Sequence, residues 1–246
     1  MTGFLNRPDG ARVAWQGVAG AGPTVVWLGG FMSDMTGTKA QALSDWAEAS
    51  GRAFVRFDYF GHGASSGDFQ DGTISRWLAD ALAVLDDLTT GEVVLVGSSM
   101  GGWIACLAAL ARPQRIKAMV LIAPAPDFTE KLMTPGIPPD GLAALAAKGV
   151  WMRPSEYGAP IPITRRLLED GATWSILNGS PIPISIPVRI LQGAQDPDVP
   201  WRHALALAEA MRGDDIVFTL IKDGDHRLSR PADIARLLST VAEAVS

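Results

Sequence analysis

Six short apolar runs alternate with helical segments along this chain, and this alternation limits the fold more than any other feature. Each run is bounded by turn residues, and strands buried on both faces of a parallel sheet have this composition. The segments between them, such as 73–89 and 201–212, have helical spacing. The pattern predicts a mostly parallel, doubly wound α/β sheet. The predicted strands are 24–30, 53–59, 92–98, 118–124, 188–194 and 216–222.

The alternation is interrupted after the fourth of these runs. Eleven of the 17 prolines lie within 124–187, where the pattern predicts no clear strand and only short helices at 138–149 and 163–177. Proline-rich connectors resist regular structure, and a long insertion after the carboxyl end of a strand is where α/β enzymes place lids. We expect one domain, 1–246, with a cap insertion at about 125–187. A surface excursion without function is the alternative.

Composition restricts the class of protein. A chain of 246 residues with 48% hydrophobic content can bury one large core, and a net charge of −5 without a basic run argues against a nucleic-acid partner. No apolar stretch approaches the roughly 18 residues that span a bilayer. The first residues lack the composition of a signal or transit peptide. Cys106 is the single cysteine, which excludes an internal disulfide and favours a reducing, cytoplasmic location.

The stretch 93–105, VVLVGSSMGGWIA, joins a predicted strand to a predicted helix through two serines. A nucleophile at such a turn needs a tight, strained bend that leaves no room for a β-carbon two positions before or after it. Gly97 and Gly101 occupy these places around Ser99, whereas a valine and a methionine would occupy them around the preceding serine. Ser99 is therefore the predicted nucleophile. The N–H of Met100, at the start of the helix, is a predicted oxyanion donor.

A serine hydroxyl needs a base to remove its proton. His226 is the predicted base because it follows the last predicted strand, in a polar loop at the edge where an open sheet gathers its functional residues. The other two histidines suit this role less well. His62 lies in an earlier glycine-rich loop and is predicted to be structural, and His203 lies within the helical run 201–212.

The base needs a carboxylate that fixes its tautomer. Asp196 follows the predicted strand 188–194 directly and is the predicted acid. Asp198 is predicted to cap the next helix. Asp225 is adjacent to His226 in the sequence and therefore poorly directed toward its ring.

The chain resembles the α/β-hydrolases over essentially its whole length. The order Ser99, Asp196, His226 is theirs, and FDYFGHGASSG at 57–67 is similar to their D-x-x-G-x-G-x-S segment. The resemblance implies that the loop after the first predicted strand is the oxyanion loop, with the N–H of Phe31 as the second donor. Many relatives carry His-Gly before this residue, where this chain has two glycines.

Several stretches are similar to the abhydrolase-domain-type-ten subgroup, which contains an animal mitochondrial acyl-glucuronide esterase also described as an S-depalmitoylase. They include GTKAQAL at 37–43, KGVWMRPSEY at 148–157 and DHRL at 225–228. The resemblance implies hydrolysis of small-molecule carboxylic esters or thioesters of apolar acyl groups through an acyl-enzyme, by a free-standing bacterial member. This chemistry needs no metal and no organic cofactor.

The insertion carries too many large apolar residues for a purely solvated excursion. We expect several of them to cover an acyl pocket above Ser99, with Trp151, Met152 and Trp174 as the predicted substrate-binding residues. Packing against the main domain alone is the alternative. The other large apolar residues of the insertion are Phe128, Leu132, Met133, Tyr157 and Ile176.

Other roles for the sequence stay open. Arg153, Arg165 and Arg166 either receive a carboxylate on the leaving group or are ordinary surface charges. A peptidase or an acyltransferase uses the same triad. A fold of this kind also serves some proteins as a non-catalytic binding module, because fold alone does not establish activity.

Overall fold

The computed structural model describes residues 1–154 and 159–246, and the part of the chain it describes forms ten strands and seven α-helices. The strands are β1 (Thr2–Asn6), β2 (Arg12–Val18), β3 (Ala21–Leu28), β4 (Arg52–Phe57), β5 (Val93–Ser98), β6 (Ile116–Ile122), β7 (Val150–Arg153), β8 (Ile161–Thr164), β9 (Val188–Gly193) and β10 (Ile216–Ile221). The helices are α1 (Thr38–Ser50), α2 (Ile74–Leu88), α3 (Met100–Ala111), α4 (Pro139–Lys148), α5 (Arg165–Thr173), α6 (Trp201–Ala210) and α7 (Pro231–Ala244).

Eight strands form the central sheet, in the order β1-β2-β4-β3-β5-β6-β9-β10. The six strands from β4 to β10 are parallel, and β2 pairs antiparallel with both β1 and β4. The six predicted strands correspond to β3, β4, β5, β6, β9 and β10, so the predicted mostly parallel α/β sheet is confirmed. Strands β1 and β2 were not predicted from the sequence, because both are partly exposed and lack a continuous apolar run.

Helices cover both faces of the sheet. Val93 and Leu95 of β5 belong to the core on one face, which α2, α3 and α6 complete, whereas Val94 and Val96 belong to the core on the other face, under α1 and α7. All four side chains are fully buried. A strand covered on both faces has no position for a polar residue, which explains why β5 is a continuous apolar run.

The insertion between β6 and β9 contains more regular structure than the sequence indicated. Helices α4 and α5 lie where short helices were predicted, but β7 and β8 also form an antiparallel pair there. The expectation of no clear strand in this region was therefore wrong. Both strands are four residues long, and Pro162 in β8 is tolerated because a two-stranded sheet consists only of edges.

Hydrogen bonds fix the insertion to the rest of the molecule. The carboxylate of Asp170 in α5 accepts from the backbone N–H of Ser75 in α2 (2.8 Å) and from its hydroxyl (2.5 Å). At the start of the insertion, the buried carboxylate of Asp127 accepts from the hydroxyl of Ser175 and the backbone N–H of Ile176, at 2.7 and 2.9 Å. These bonds place the first residues after β6 and the segment after α5 beside each other, near the carboxyl end of the sheet.

No helix in the described parts of the chain combines the length and the apolar character needed to cross a membrane.

Candidate active site

Ser99 lies at the junction of β5 and α3 in a strained backbone conformation, with φ 55° and ψ −118°. Its N–H donates to the carbonyl of Ile122 in β6 at 2.9 Å, and its carbonyl accepts from the N–H groups of Gly102 and Ala125. A non-glycine residue reaches this conformation only when the surrounding structure holds it there. The turn therefore has the geometry of a nucleophile elbow.

Glycine is required at the two positions around Ser99 because backbone carbonyl groups lie very close to both of them. A β-carbon on Gly97 would lie 2.4 Å from the carbonyl oxygen of Gly101, and one on Gly101 would lie 2.1 Å from the carbonyl oxygen of Leu28 at the end of β3. Real β-carbons do not approach a carbonyl oxygen this closely, so both positions exclude any side chain. This is the physical reason for the spacing from which Ser99, and not Ser98, was predicted.

The predicted acid and base are in direct contact. Nδ1 of His226 lies 2.8 Å from Oδ2 of Asp196, whose side chain is fully buried, whereas 23% of the His226 side chain is exposed. Oδ1 of Asp196 accepts from the backbone N–H groups of Asp198 and Val199, and Oδ2 also accepts from the amide of Gln192. Four donors fix this carboxylate, and it can in turn fix the ring of His226 with Nε2 available to a hydroxyl.

Asp198 is exposed and makes no contact with the ring of His226 in the hydrogen bonds of the described residues. It lines a cavity that reaches Ser99 and His226. Asp196, Asp198 and His226 each offer a potential metal-ligand atom within 4.8 Å of one another. Both oxygens of Asp196 already receive N–H donors.

The loop after β3 is held by the 58–64 segment, and the sequence did not reveal how. The N–H of Met32, which has φ 56°, donates to Nε2 of His62 at 3.2 Å, and Nδ1 of His62 lies 3.1 Å from the carbonyl of Phe60. Burial lowers the pKa of His62, which keeps the ring neutral and able to accept. The carboxylate of Asp58 accepts from the N–H of Met35 at 2.7 Å. These contacts hold the loop after β3 against the 58–64 segment.

Phe31 lies in this loop beside Ser99. Its ring packs edge-on against Phe69 and is tilted against Phe128, with centroids 5.0 and 5.6 Å apart. A β-carbon on the preceding Gly30 would be 3.5 Å from the β-carbon of Ser99. The loop therefore passes close enough to the serine for its backbone to contact a group bound there.

A cavity of about 250 Å³ joins the predicted site residues. Ser99, His226, Phe31 and Met100 all line it, and nine of its thirteen lining residues are apolar. The remaining lining residues are Met32, Ala125, Phe128, Leu132, Met133, Arg153, Ile161, Asp198 and Val199. We call this space the first cavity.

The three predicted substrate-binding residues of the insertion lie outside the lining of the first cavity. Trp151, Met152 and Trp174 are not among the described residues that line the first cavity, whereas Phe128, Leu132 and Met133 are. Trp151 packs on α4, and a β-carbon on Gly141 there would be 2.9 Å from its ring. Met152 is 48% exposed, the indole N–H of Trp174 donates to the hydroxyl of Ser75 at 2.7 Å, and Ile176 is buried. Tyr157 lies outside the described residues.

The three arginines of the insertion have different surroundings. Arg166 pairs with Asp71 at 3.0 Å, and Arg165 lies 3.9 Å from Glu169, with all four side chains mostly exposed. Arg153 is the one of the three that lines the first cavity.

The remaining candidate residues contact other parts of the molecule. Nε2 of His203 lies 2.7 Å from the carbonyl of Pro126. Cys106 is fully buried in α3, and burial raises the pKa of its thiol to about 12, so it has the character of a core residue and not of a nucleophile.

Comparison with known proteins gives a consistent family. The Hydrolase_4 family model, described as serine aminopeptidase S33, matches residues 22–166. The chain is 36% identical over 244 residues to the mitochondrial palmitoyl-protein thioesterase ABHD10 of Bos taurus, covering 98% of this chain and 79% of the relative.

Two solved structures are similar over nearly their whole length. One, from Agrobacterium vitis S4 and described in general terms as a hydrolase, has a TM-score of 0.95 at 46% identity and covers 100% of this chain and 99% of its own. The other is mouse α/β hydrolase domain-containing protein 10, with a TM-score of 0.89 at 35% identity, covering 99% of this chain and 97% of its own.

Proposed function

The chain belongs to the Hydrolase_4 family of α/β-hydrolases, and on that premise we propose that it cleaves carboxylic esters or thioesters of apolar acyl groups through an acyl-enzyme formed on Ser99. The observation that carries the proposal is the contact of His226 with the buried Asp196 in a loop that lines the same apolar cavity as Ser99. The relatives named as thioesterases support the same class of substrate.

In the first half of the reaction, Nε2 of His226 removes the proton of the Ser99 hydroxyl as its oxygen attacks the acyl carbon. Asp196 stabilises the imidazolium that results. The N–H groups of Phe31 and Met100 bind the oxyanion, and the N-terminus of α3 favours its negative charge. His226 then protonates the leaving alcohol or thiol as its bond to the acyl carbon breaks. In the second half, His226 removes a proton from a water molecule as its oxygen attacks the acyl carbon. The bond between the acyl carbon and the Ser99 oxygen then breaks, His226 returns the proton to that oxygen, and the carboxylic acid is released.

We propose that the insertion acts as a cap whose first residues bind the acyl group. Phe128, Leu132 and Met133 contribute apolar walls to the first cavity, which Ser99 also lines. Since the binding of an apolar chain scales with the area removed from water, these side chains would set the preferred chain length.

A panel of substrates tests the reaction class. We expect turnover of p-nitrophenyl esters and acyl-thioesters, and no comparable turnover of aminoacyl anilides. The family model is described as an aminopeptidase, and Asp198 in the first cavity is a carboxylate that a substrate ammonium could contact. Preferential cleavage of the anilides would therefore replace the esterase proposal with a peptidase one. If an added amine takes the acyl group from the acyl-enzyme faster than water does, the protein is an acyltransferase.

Shortening the cavity walls is expected to change the chain-length preference. Leu132→Ala and Met133→Ala should lower kcat/KM for medium-chain esters relative to acetate esters. The expected decrease is about fourfold for each substrate methylene that the shortened wall leaves in water, since burying one methylene contributes about 0.8 kcal/mol. Met152→Ala is the matched control, because this side chain is largely exposed and outside the cavity lining. If all three variants kept the wild-type profile, the acyl group would bind elsewhere.

We also propose a cytoplasmic location, because the one cysteine is buried and unpaired, as a reducing compartment favours. The animal relatives are named as mitochondrial. Fractionation of cells that express the full chain distinguishes these locations.

A further inference from the structure

The loop between β10 and α7 carries His226, and hydrogen bonds attach the first half of this loop to a neighbouring strand. The carbonyl of Gly224 accepts from the N–H of Gln195 at 2.9 Å. Nδ1 of the His226 ring lies 2.8 Å from Oδ2 of Asp196. Gln195 and Asp196 both follow β9, which pairs with β10. The residues before His226 and one nitrogen of its ring are therefore fixed from the same side.

The second half of the loop is attached to α1 by Lys39. The ammonium of this residue donates to the carbonyl of Arg227 and, at 3.4 Å, to the hydroxyl of Ser229. Among the described residues, these are the hydrogen bonds that the segment 227–229 receives from another element. The residue directly after His226 is therefore bound to a lysine that is distant in the chain.

The backbone of this segment is strained. Leu228 has a φ of 44°, its side chain is buried, and its N–H donates to Oδ1 of Asp225 at 2.9 Å. A non-glycine residue stays in this conformation only when its surroundings hold it there. The peptide that joins Arg227 to Leu228 carries the carbonyl to which Lys39 donates. The ammonium therefore holds one side of the strained turn.

The Lys39 ammonium is buried among neutral acceptors, and its hydrogen bonds must offset the cost of burying the charge. No carboxylate of the described residues lies within salt-bridge distance of it. Burial lowers the pKa of Lys39 to about 8, with Asp225 and Asp233 raising it and Arg227 lowering it further. The next residue of α1, Ala40, is fully buried, so the helix that carries the ammonium is fixed against the sheet.

The position of Nε2 of His226 depends on both attachments. The contact with Asp196 fixes Nδ1, but one hydrogen bond sets a distance and leaves the ring free to pivot about it. The bond from Lys39 to the neighbouring carbonyl fixes the backbone from which the ring extends. Lys39 and Arg227 line a cavity of about 420 Å³ that Ser99 and His226 also line, so this attachment lies close to the reacting groups.

Resting on the proposed function, we propose that Lys39 is a positioning residue for His226, whose ammonium holds the carbonyl of Arg227 and thereby keeps Nε2 of the ring directed at the hydroxyl of Ser99. His226 removes a proton in each half of the reaction. Both acylation and hydrolysis of the acyl-enzyme therefore depend on this attachment.

Lys39→Met tests the attachment, since methionine keeps most of the length of the side chain and removes its donors. We expect kcat for a p-nitrophenyl ester to fall by about tenfold or more, because a displacement of about 1 Å costs as much as about 10²-fold in rate. KM should change little, because Lys39 does not line the first cavity. Steady-state kinetics measure both quantities, and thermal unfolding checks the fold.

Lys117→Met is the matched control. Its ammonium also donates to a backbone carbonyl, that of Val245 at 3.3 Å, but lies near the amino end of β6, away from the serine turn. This variant should keep the wild-type kcat. If Lys39→Met folds and keeps it as well, the proposal is wrong. If wild type hydrolyses no ester, the proposed function itself has failed.

A double variant shows whether Lys39 acts through His226. A positioning residue has no effect on the rate once the group that it positions is absent. Lys39→Met should therefore change the residual kcat/KM of His226→Ala by less than about twofold. A loss as large as that in the wild-type background would mean that Lys39 acts on the substrate or on the fold as a whole, and would overturn the proposal.

Lys39→Arg provides a test by pH, and it also decides the question if Lys39→Met does not fold. The guanidinium can donate to the same carbonyl and stays charged at all pH values used. The wild-type ammonium is present below about pH 8 and is lost above it, and a neutral amine is the weaker donor. From pH 7 to 9, kcat/KM should fall in wild type and stay level in Lys39→Arg.

The comparison isolates the ammonium because the other charged or titratable groups around it are the same in both proteins. A parallel decline in wild type and Lys39→Arg would assign the pH dependence to one of these groups and contradict the proposal. They are Asp34, Asp225, His226, Arg227, Arg230 and Asp233.

Discussion

Ser99→Ala is expected to lower kcat for ester hydrolysis by about 10⁴-fold or more, with no change in Tm. The loss follows because no other hydroxyl or thiol belongs to the described residues that line the first cavity, and only the oxyanion donors and substrate binding would still contribute to the rate. Alanine can occupy the same backbone conformation as serine and removes only one hydroxyl from a half-buried side chain, so the fold has no reason to change. Steady-state kinetics and thermal unfolding measure the two quantities.

Ser98→Ala is the matched control, one residue earlier in the same turn. Its side chain is buried at the end of β5, and its loss is expected to reduce kcat far less than the loss of Ser99. Equal losses of kcat in both variants would contradict the choice of Ser99 over Ser98 as the nucleophile, which was made from the glycine spacing. A fluorophosphonate probe should label wild type and Ser98→Ala but not Ser99→Ala. Failure to label wild type would favour a non-catalytic binding protein.

Asp196→Asn is expected to lower kcat by about 10³- to 10⁴-fold. The backbone N–H groups of Asp198 and Val199 require an acceptor at Oδ1, so the new amide oxygen stays there and the NH₂ group must face His226. Nδ1 then has to accept instead of donate. The ring proton moves to Nε2, which can no longer take the proton of Ser99.

The matched control is Asp198→Asn, which changes the same functional group two residues away. It should lower kcat by less than about tenfold, because Asp198 contributes its backbone N–H and not its carboxylate to this arrangement. Both variants are compared by single-turnover kinetics with one ester, together with far-UV circular dichroism as the check on folding. The reverse ranking would assign the acid to Asp198.

Sequence reasoning predicted the parts of this protein that depend on neighbours in the chain. The strands β3 to β6, β9 and β10 are visible as apolar runs because each is buried on both faces. The choice of Ser99 over Ser98 follows from two glycines two positions away, where any β-carbon would meet a carbonyl oxygen. The contact between Asp196 and His226 was predictable because both follow the carboxyl ends of adjacent parallel strands, which lie at one edge of the sheet.

Within the insertion, the largest apolar side chains are not the ones that line the first cavity. Trp151 and Trp174 are the largest apolar residues there and were expected at the substrate, yet one packs on α4 and the other bonds to Ser75 of α2. Leu132 and Met133, which are less distinctive in the sequence, line the first cavity. Size and hydrophobicity predict that a side chain is covered but not which surface covers it.

Two further features exist only in the folded molecule. The N–H of Met32 donates a hydrogen bond to the ring of His62. The ammonium of Lys39 donates one to the carbonyl of Arg227, which is 188 residues away in the chain. The sequence alone determined the parallel strands of the sheet and the serine turn with its two glycines, because backbone sterics and strand burial act over a few residues. The tertiary structure decided the anchoring of the loop after β3 and the walls of the first cavity, because these depend on how distant segments pack around the carboxyl end of the sheet.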